Sequence, residues 1–216
     1  MIGREGPEAG RNGMSWKSSH VRVRRSAVAI LAAAGVLGAA FSVRALADGP
    51  GQTSFAAETA KAEQAMNELQ TSLLGKLRSA MEAGGPAAAV EVCRTEARTI
   101  AEAVAHKQGI ELGRTSHRVR NPANAPRPWA RAIVEGSAGA KAAAEQIRVV
   151  DLGERVGVLR PIGTADMCTR CHGAAPDVKR NLGEALTSAY PQDRAVGFAA
   201  GDLRGWFWAE VPKGVK

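Results

Sequence analysis

Apolar residues recur at helical spacing through residues 57–83, where Met66, Leu69, Leu73, Leu77 and Met81 fall on one face. Gly84-Gly85 ends that pattern, and Pro86 suits the first turn of a second helix running to about Lys107, before Gly109. Val90, Cys93, Ala97, Ile100 and Val104 form one stripe of the second helix, predicted to face the core. Residues 110–120 read as an extended basic segment. Asn121-Pro122-Ala123-Asn124-Ala125-Pro126-Arg127-Pro128 cannot be regular structure, because three prolines interrupt it. A short helix is predicted over 129–135, and an Ala-rich helix resumes near Ala140. Residues 146–150 and 155–159 flank Asp151-Leu152-Gly153-Glu154 as the arms of a hairpin, and Pro161-Ile162-Gly163-Thr164 reads as a loop. Helical patterning returns over 178–188, and 205–211 closes the chain as an aromatic-rich strand. This order predicts an α+β domain, with N-terminal helices packed on a small antiparallel sheet, rather than an all-helical protein.

The N-terminus has a different pattern. Lys17, Arg22, Arg24 and Arg25 precede an uncharged apolar run over 26–41, and Ala45-Leu46-Ala47 supplies a small-x-small cleavage site. Residues 1–47 are therefore expected to be a secretory signal peptide, with Met14 as an alternative start and a mature chain beginning near Asp48. An uncleaved anchor is the alternative, although the run is shorter than the ~20 residues of a spanning helix. Either way, residues 48–216 are expected outside the cytoplasm, in the periplasm, as one domain without lasting membrane insertion once the signal is cleaved. The charge reading follows from this. The whole chain has 29 Lys plus Arg against 21 Asp plus Glu, but seven bases and two acids lie in 1–47, leaving 22 against 19. The basic character belongs mostly to the leader, no long basic cluster remains, and a nucleic-acid partner is not implied.

Cys168-Thr169-Arg170-Cys171-His172 carries the chemistry. The C-x-x-C-H spacing lets two thiols add across the vinyl groups of one haem while the following imidazole ligates its iron, and it predicts one covalent haem c. Zinc would want four ligands, and outside this run the mature chain offers Cys93, His106 and His117 with no second paired motif. A thioredoxin-like pair would want a strand-to-helix setting, which the loop reading of 161–164 does not supply. Opposite His172, the candidate ligands are Met66, Met81, Met167, Cys93, His106 and His117. Met167 is tethered on the wrong side, and Met66 and Met81 lie in an apolar stripe. His106 suits a helix C-terminus, while His117 is open to either role. Cys93 has no disulfide partner if the other two cysteines hold haem; it is either a small buried hydrophobe or a ligand. Arg114, Arg118, Arg120 and Arg127 are candidates to pair with haem propionates, because a guanidinium matches a carboxylate in a two-pronged way; a solvated basic loop is the alternative.

Several motifs together resemble one family. Ala89-Val90-Glu91-Val92-Cys93, Gly113-Arg114-Thr115-Ser116, Arg120-Asn121-Pro122-Ala123-Asn124-Ala125-Pro126, the run Cys168 to Gly173, the segment Tyr190-Pro191-Gln192-Asp193-Arg194-Ala195-Val196-Gly197-Phe198 and Gly201-Asp202-Leu203-Arg204-Gly205 are similar to the Tll-type c-haem domain family. The resemblance implies a PAS-like α+β fold with a single covalent haem, whose iron is held between a histidine and a cysteine, here His172 and Cys93. A thiolate ligand pushes electron density onto iron and favours Fe(III). Three functions remain: an electron carrier, first; a redox or gas sensor signalling through a separate receptor; and, last, a weak peroxidase-like enzyme, for which His117 is the available acid-base group. The expected partner is a redox protein or a receptor.

Overall fold

The computed structural model of the protein describes residues 55–214. The expected signal peptide, the alternative Met14 start and the expected cleavage site lie outside those residues. Helix α1 (Ala56–Thr95) buries Ala62, Ala65, Met66 and Leu69, the inward face set by the apolar spacing, and leaves Leu77 and Met81 half-buried. Gly84 and Gly85 break it, as expected: Gly85 adopts φ 69 and ψ −160, a conformation closed to residues with a Cβ. Helix α2 (Ala97–Gln108) ends at Gly109 in the left-handed conformation; the Gly109 N–H donates to the His106 carbonyl at 3.2 Å and the Ile110 N–H to that of Ala105 at 3.1 Å.

The single helix expected over 86–107 is divided at Glu96, although Glu96 N–H to Val92 O and Ile100 N–H to Glu96 O, both 2.9 Å, carry the helical ladder across the join. Its apolar stripe consequently serves two clusters. Ile100 and Val104 pack on the sheet, whereas Val90 joins Val178, Leu182, Leu186 and Tyr190.

Strands β1 (Glu111–Thr115), β2 (Arg148–Asp151), β3 (Arg155–Gly163) and β4 (Leu203–Pro212) form one antiparallel sheet in the order β1-β4-β3-β2. The predicted hairpin joins β2 to β3, and its turn is held by the Asp151 carboxylate, which accepts the Gly153 N–H at 2.8 Å. The loop reading of 161–164 is corrected: 161–163 are strand, with Pro161 opposite Trp206. Proline is tolerated because β2 reaches only as far as Leu159, so no neighbour on that side needs its missing N–H.

One face of the sheet, with Val156, Val158, Phe207, Ala209 and Val211, packs against α1 and α2. The other buries Leu159, Leu203 and Trp206 under Ala130 and Val134, and the Trp206 indole N–H donates to the Ser137 hydroxyl at 3.2 Å. The 121–130 connection holds two 3-10 turns, Pro122–Asn124 and Pro128–Ala130, which lead into α3 (Arg131–Gly136). The Ala-rich helix expected near Ala140 is a single turn, Ala142–Ala144. The Ala142 N–H and the Ala140 carbonyl bond to Gly201 and Leu203 at 2.9 Å each, and those tertiary bonds displace helical ones. Helices α4 (Asp166–His172) and α5 (Ala175–Ala189) follow β3, with α5 broken at Gly183. Among the described residues the architecture is α+β, with five α-helices and a four-stranded antiparallel sheet.

Candidate functional site

Strand β3 leads through Thr164 and Ala165 into α4, so a strand does precede the C-x-x-C pair after all. What separates the run from a thiol redox pair is His172. One helical turn carries half-buried Cys168, half-buried Cys171 and this imidazole together. His172 Nδ1 lies 2.7 Å from the carbonyl oxygen of Ala195. A carbonyl only accepts, so Nδ1 carries the proton and Nε2 is left with its lone pair, the arrangement of a metal-ligating histidine oriented by its second nitrogen. Burial, with the charges of Arg204 and Arg120, holds the imidazole well below the ordinary histidine range and therefore neutral. Burial likewise pushes the Cys171 thiol up, against the opposing charge of Arg120.

Backbone bonds fix this turn against the 190–198 segment. Gly197 N–H donates to Gly173 O at 2.7 Å, and Phe198 N–H to His172 O at 2.9 Å. Gly173 itself has no room for a side chain, since a Cβ there would lie 2.4 Å from the Thr169 carbonyl oxygen. Asp193 shapes the presenting turn: one carboxylate oxygen accepts the Ala195 N–H at 2.8 Å and the other accepts Arg120 Nε at 3.1 Å. Arg120 then donates from its other arm to the Cys171 carbonyl at 2.5 Å and lies 5.9 Å from the Tyr190 ring centre. A guanidinium and a carboxylate, both nearly buried, thus tie the haem-type motif to the loop that orients its histidine.

The other sequence-predicted residues divide. Arg114 faces Phe207 across the sheet, burial pushes its guanidinium down, and Cys93 and Tyr190 lie near it. Arg118 donates to the Val196 carbonyl at 2.7 Å and to His117 Nε2 at 3.2 Å, and its guanidinium lies 4.3 Å from the Phe198 ring centre. Arg127 is remote from the site, paired with Glu210 at 2.8 Å and Glu111 at 2.7 Å. Cys93, on the half of α1 beyond the Gly84-Gly85 break, is half-buried and close enough to Cys171, Arg114 and Tyr190 to act on their ionisation. Met66 is inside the sheet core, Met167 is exposed, and His106 is exposed at the end of α2. His117 has its Nε2 engaged by Arg118 and its ring edge-on to Phe198 at 5.8 Å.

Sequence reasoning assigned no role to Arg204, Asp193 or the Ala195 carbonyl. Arg204 lies on β4, where a basic residue reads as an outward strand position. Burial, and the nearby charges of Arg120 and Arg114, push its guanidinium down to about 10. The Ala195 carbonyl has no side-chain signature. Asp193 had one, an acid two residues before a backbone N–H, the pattern of an Asx turn.

Among the described residues, no three or more His, Cys, Asp or Glu side chains converge as a metal centre. Two sulfurs, one oriented imidazole, a third sulfur nearby and an excess of buried guanidinium over carboxylate instead suit a cofactor that carries its own metal, thioether acceptors and acid groups. A cavity of about 220 Å3 opens beside Arg94, Arg120, Tyr190 and Gln192.

A family model described as Tll0287-like matches residues 51–212. Among curated proteins, none matches the chain. Among solved structures, the chain is similar to the crystal structure of the cyanobacterial heme-protein Tll0287, with 25% identity and a TM-score of 0.56, over 74% of this chain and 98% of that one.

Proposed function

The chain belongs to the Tll0287-like family, and from that premise we propose that it is a periplasmic single-haem c-type cytochrome that transfers electrons. Cys168 and Cys171 would hold the haem as thioethers, and His172, through Nε2, and Cys93 would ligate its iron. A bound haem supplies a one-electron Fe(III)/Fe(II) couple. The observation that carries the reading is the His172 Nδ1 contact to the Ala195 carbonyl, which points a neutral imidazole nitrogen away from the protein acceptor on the same turn as two thiols.

Around it, the protein's own residues have distinct tasks. Ala195 fixes the imidazole tautomer, Asp193 and Arg120 hold the turn that presents Ala195, and the 190–198 segment shields the histidine from solvent protons. The PAS-like form of the fold that the family resemblance implies is supported by the antiparallel sheet with helices laid across it. Secretion through residues 1–47 delivers the chain to the compartment where haem c is attached, and a redox protein or receptor is its partner.

The test is expression with the c-type maturation machinery. A Soret band that stays with the polypeptide in acidified butanone, and disappears in Cys168→Ser/Cys171→Ser, is the expected result. Pigment that extracts would overturn the attachment. An unchanged low-spin spectrum in Cys93→Ala would remove Cys93 as ligand. A sensor reading is favoured by the position of Cys93 on a short helical segment beyond a glycine break, apart from the turn that carries His172. It requires CO binding on reduction with a large spectral change, which a carrier with two persistent ligands does not show.

A further inference from the structure

Arg204 has an unmet need. Its Nε is sealed from water and touches no acceptor among the described residues. What the guanidinium does have is weak: one long bond, 3.4 Å, to the Arg118 carbonyl, and the face of Phe198 at 4.9 Å. Three guanidinium groups, those of Arg204, Arg120 and Arg114, bear on His172. Asp193 neutralises Arg120 directly. Arg114 has Cys93 and Tyr190 beside it, neither of them a carboxylate. Arg204 makes no ion pair among the described residues, the nearby Asp193 carboxylate being taken by Arg120, and a buried guanidinium without its own counter-ion is among the costliest things a fold can retain.

We infer that Arg204 forms a carboxylate clamp that takes a propionate of the haem, binding through its free Nε edge. This rests on the haem reading above and adds to it a residue that recognises the far edge of the cofactor. The other arginines of the basic segment are already committed: Arg118 to Val196 and His117, Arg120 to Asp193 and Cys171, Arg127 to the Glu210 carboxylate. The planar two-donor edge of Arg204 matches a carboxylate in a way that a lysine cannot. Removing a fixed positive charge beside the propionates favours Fe(III).

The experiment uses the haem-loaded protein. Wild type is first assayed as a pyridine haemochrome; absence of a covalent c-type spectrum sinks the haem reading itself, whereas the variants bear on the clamp alone. In Arg204→Gln with full haem content, the propionate bending bands of the resonance Raman spectrum should shift, and the Fe(III)/Fe(II) equilibrium should move roughly tenfold toward Fe(III), about 59 mV for one electron. Arg204→Lys should shift the bands with a smaller change in potential, and it carries the test if Arg204→Gln does not fold. Arg127→Gln, which removes the same charge at the remote Glu210 pair, should leave the bands unmoved. Unchanged bands in the Arg204 variants would overturn the clamp. So would a wild-type potential that tracks added formate or phosphate, since a diffusible anion would then occupy it.

Discussion

The sheet core and the haem-type turn lie in one domain but are held by opposite means. Between α1, α2 and the sheet, Ala62, Met66, Leu69, Val156, Val158 and Val211 are buried against one another, each contributing through removal of apolar area from water. Around α4 the apolar cluster is small, and position is set by directional contacts: Arg120 to Asp193 and Cys171, Gly197 to Gly173, His172 to Ala195. Apolar burial is non-directional and self-sufficient, so it yields a stable scaffold. Buried polar contacts fix geometry, but they are costly when any partner is missing. Arg155 Nε beside the sheet and Arg204 Nε in the second region both lack a hydrogen-bond acceptor among the described residues, but Arg155 has the Glu210 carboxylate 3.9 Å away and Arg204 has no ion pair.

That contrast breaks most sharply if the covalent link is removed. Cys168→Ser/Cys171→Ser should abolish retained pigment and collapse hydrogen-exchange protection across α4 and the 190–198 segment while β3 and β4 stay protected; uniform loss in both regions would show that the scaffold is not independent. Next in size is Arg120→Ala, which strands the Asp193 carboxylate and should cost about 3–5 kcal/mol, read from urea denaturation, with the Soret band changing before the far-UV signal. Leu69→Ala strikes the other region. It should cost about 2–5 kcal/mol and move the far-UV and Soret transitions together, since the site has no support without the scaffold.

The smallest effect is on pH, and it separates the regions by sign of charge. Burial, followed by the charges of Arg118, Arg204 and Arg194, holds His117 below the ordinary value of 6.5. The unfolded chain therefore takes up its proton first, and His117 draws stability from the site as pH falls below 6.5. His117→Gln should flatten that part of the profile of site stability. Glu210 is different. Burial raises its carboxyl, but hydrogen bonds from Arg127 and Trp129, with the Arg127 and Arg155 charges, outweigh burial and leave it below 4.5. Its contribution is fully present above 4.5 and is lost as pH falls through the lower folded value, so Glu210→Gln should flatten the profile of sheet unfolding in that acid range. Hydrogen exchange across 190–198 and across β3–β4 at stepped pH checks both.

Much of this was legible in the chain because its signals are local. Apolar spacing marked the buried face of α1, Gly84-Gly85 its break, Gly109 the end of α2, and Asp151-Leu152-Gly153-Glu154 the hairpin. Where the reading failed, a distant partner had intervened. Gly201 and Leu203 take the hydrogen bonds that an Ala-rich helix at 140 needed. The pairing of β4 along 161–163 makes strand of a stretch that Pro161 and Gly163 mark as loop. The stripe from Val90 to Val104 has one helical period but two destinations, because α5 covers its beginning and the sheet its end.

By itself, then, the sequence determined the helical faces and the placing of two thiols and an imidazole in one short run, since residue spacing and 3.6-residue periodicity are properties of neighbouring residues. The tertiary structure alone decided which arginine is satisfied and which is not. Arg120 and Asp193 are 73 positions apart, and Arg204 follows the Cys168 turn by a strand's approach, so counter-ions and carbonyl partners become known only when those segments meet. A charge's role depends on what lies within a few ångströms of it, and distance along the chain does not record that.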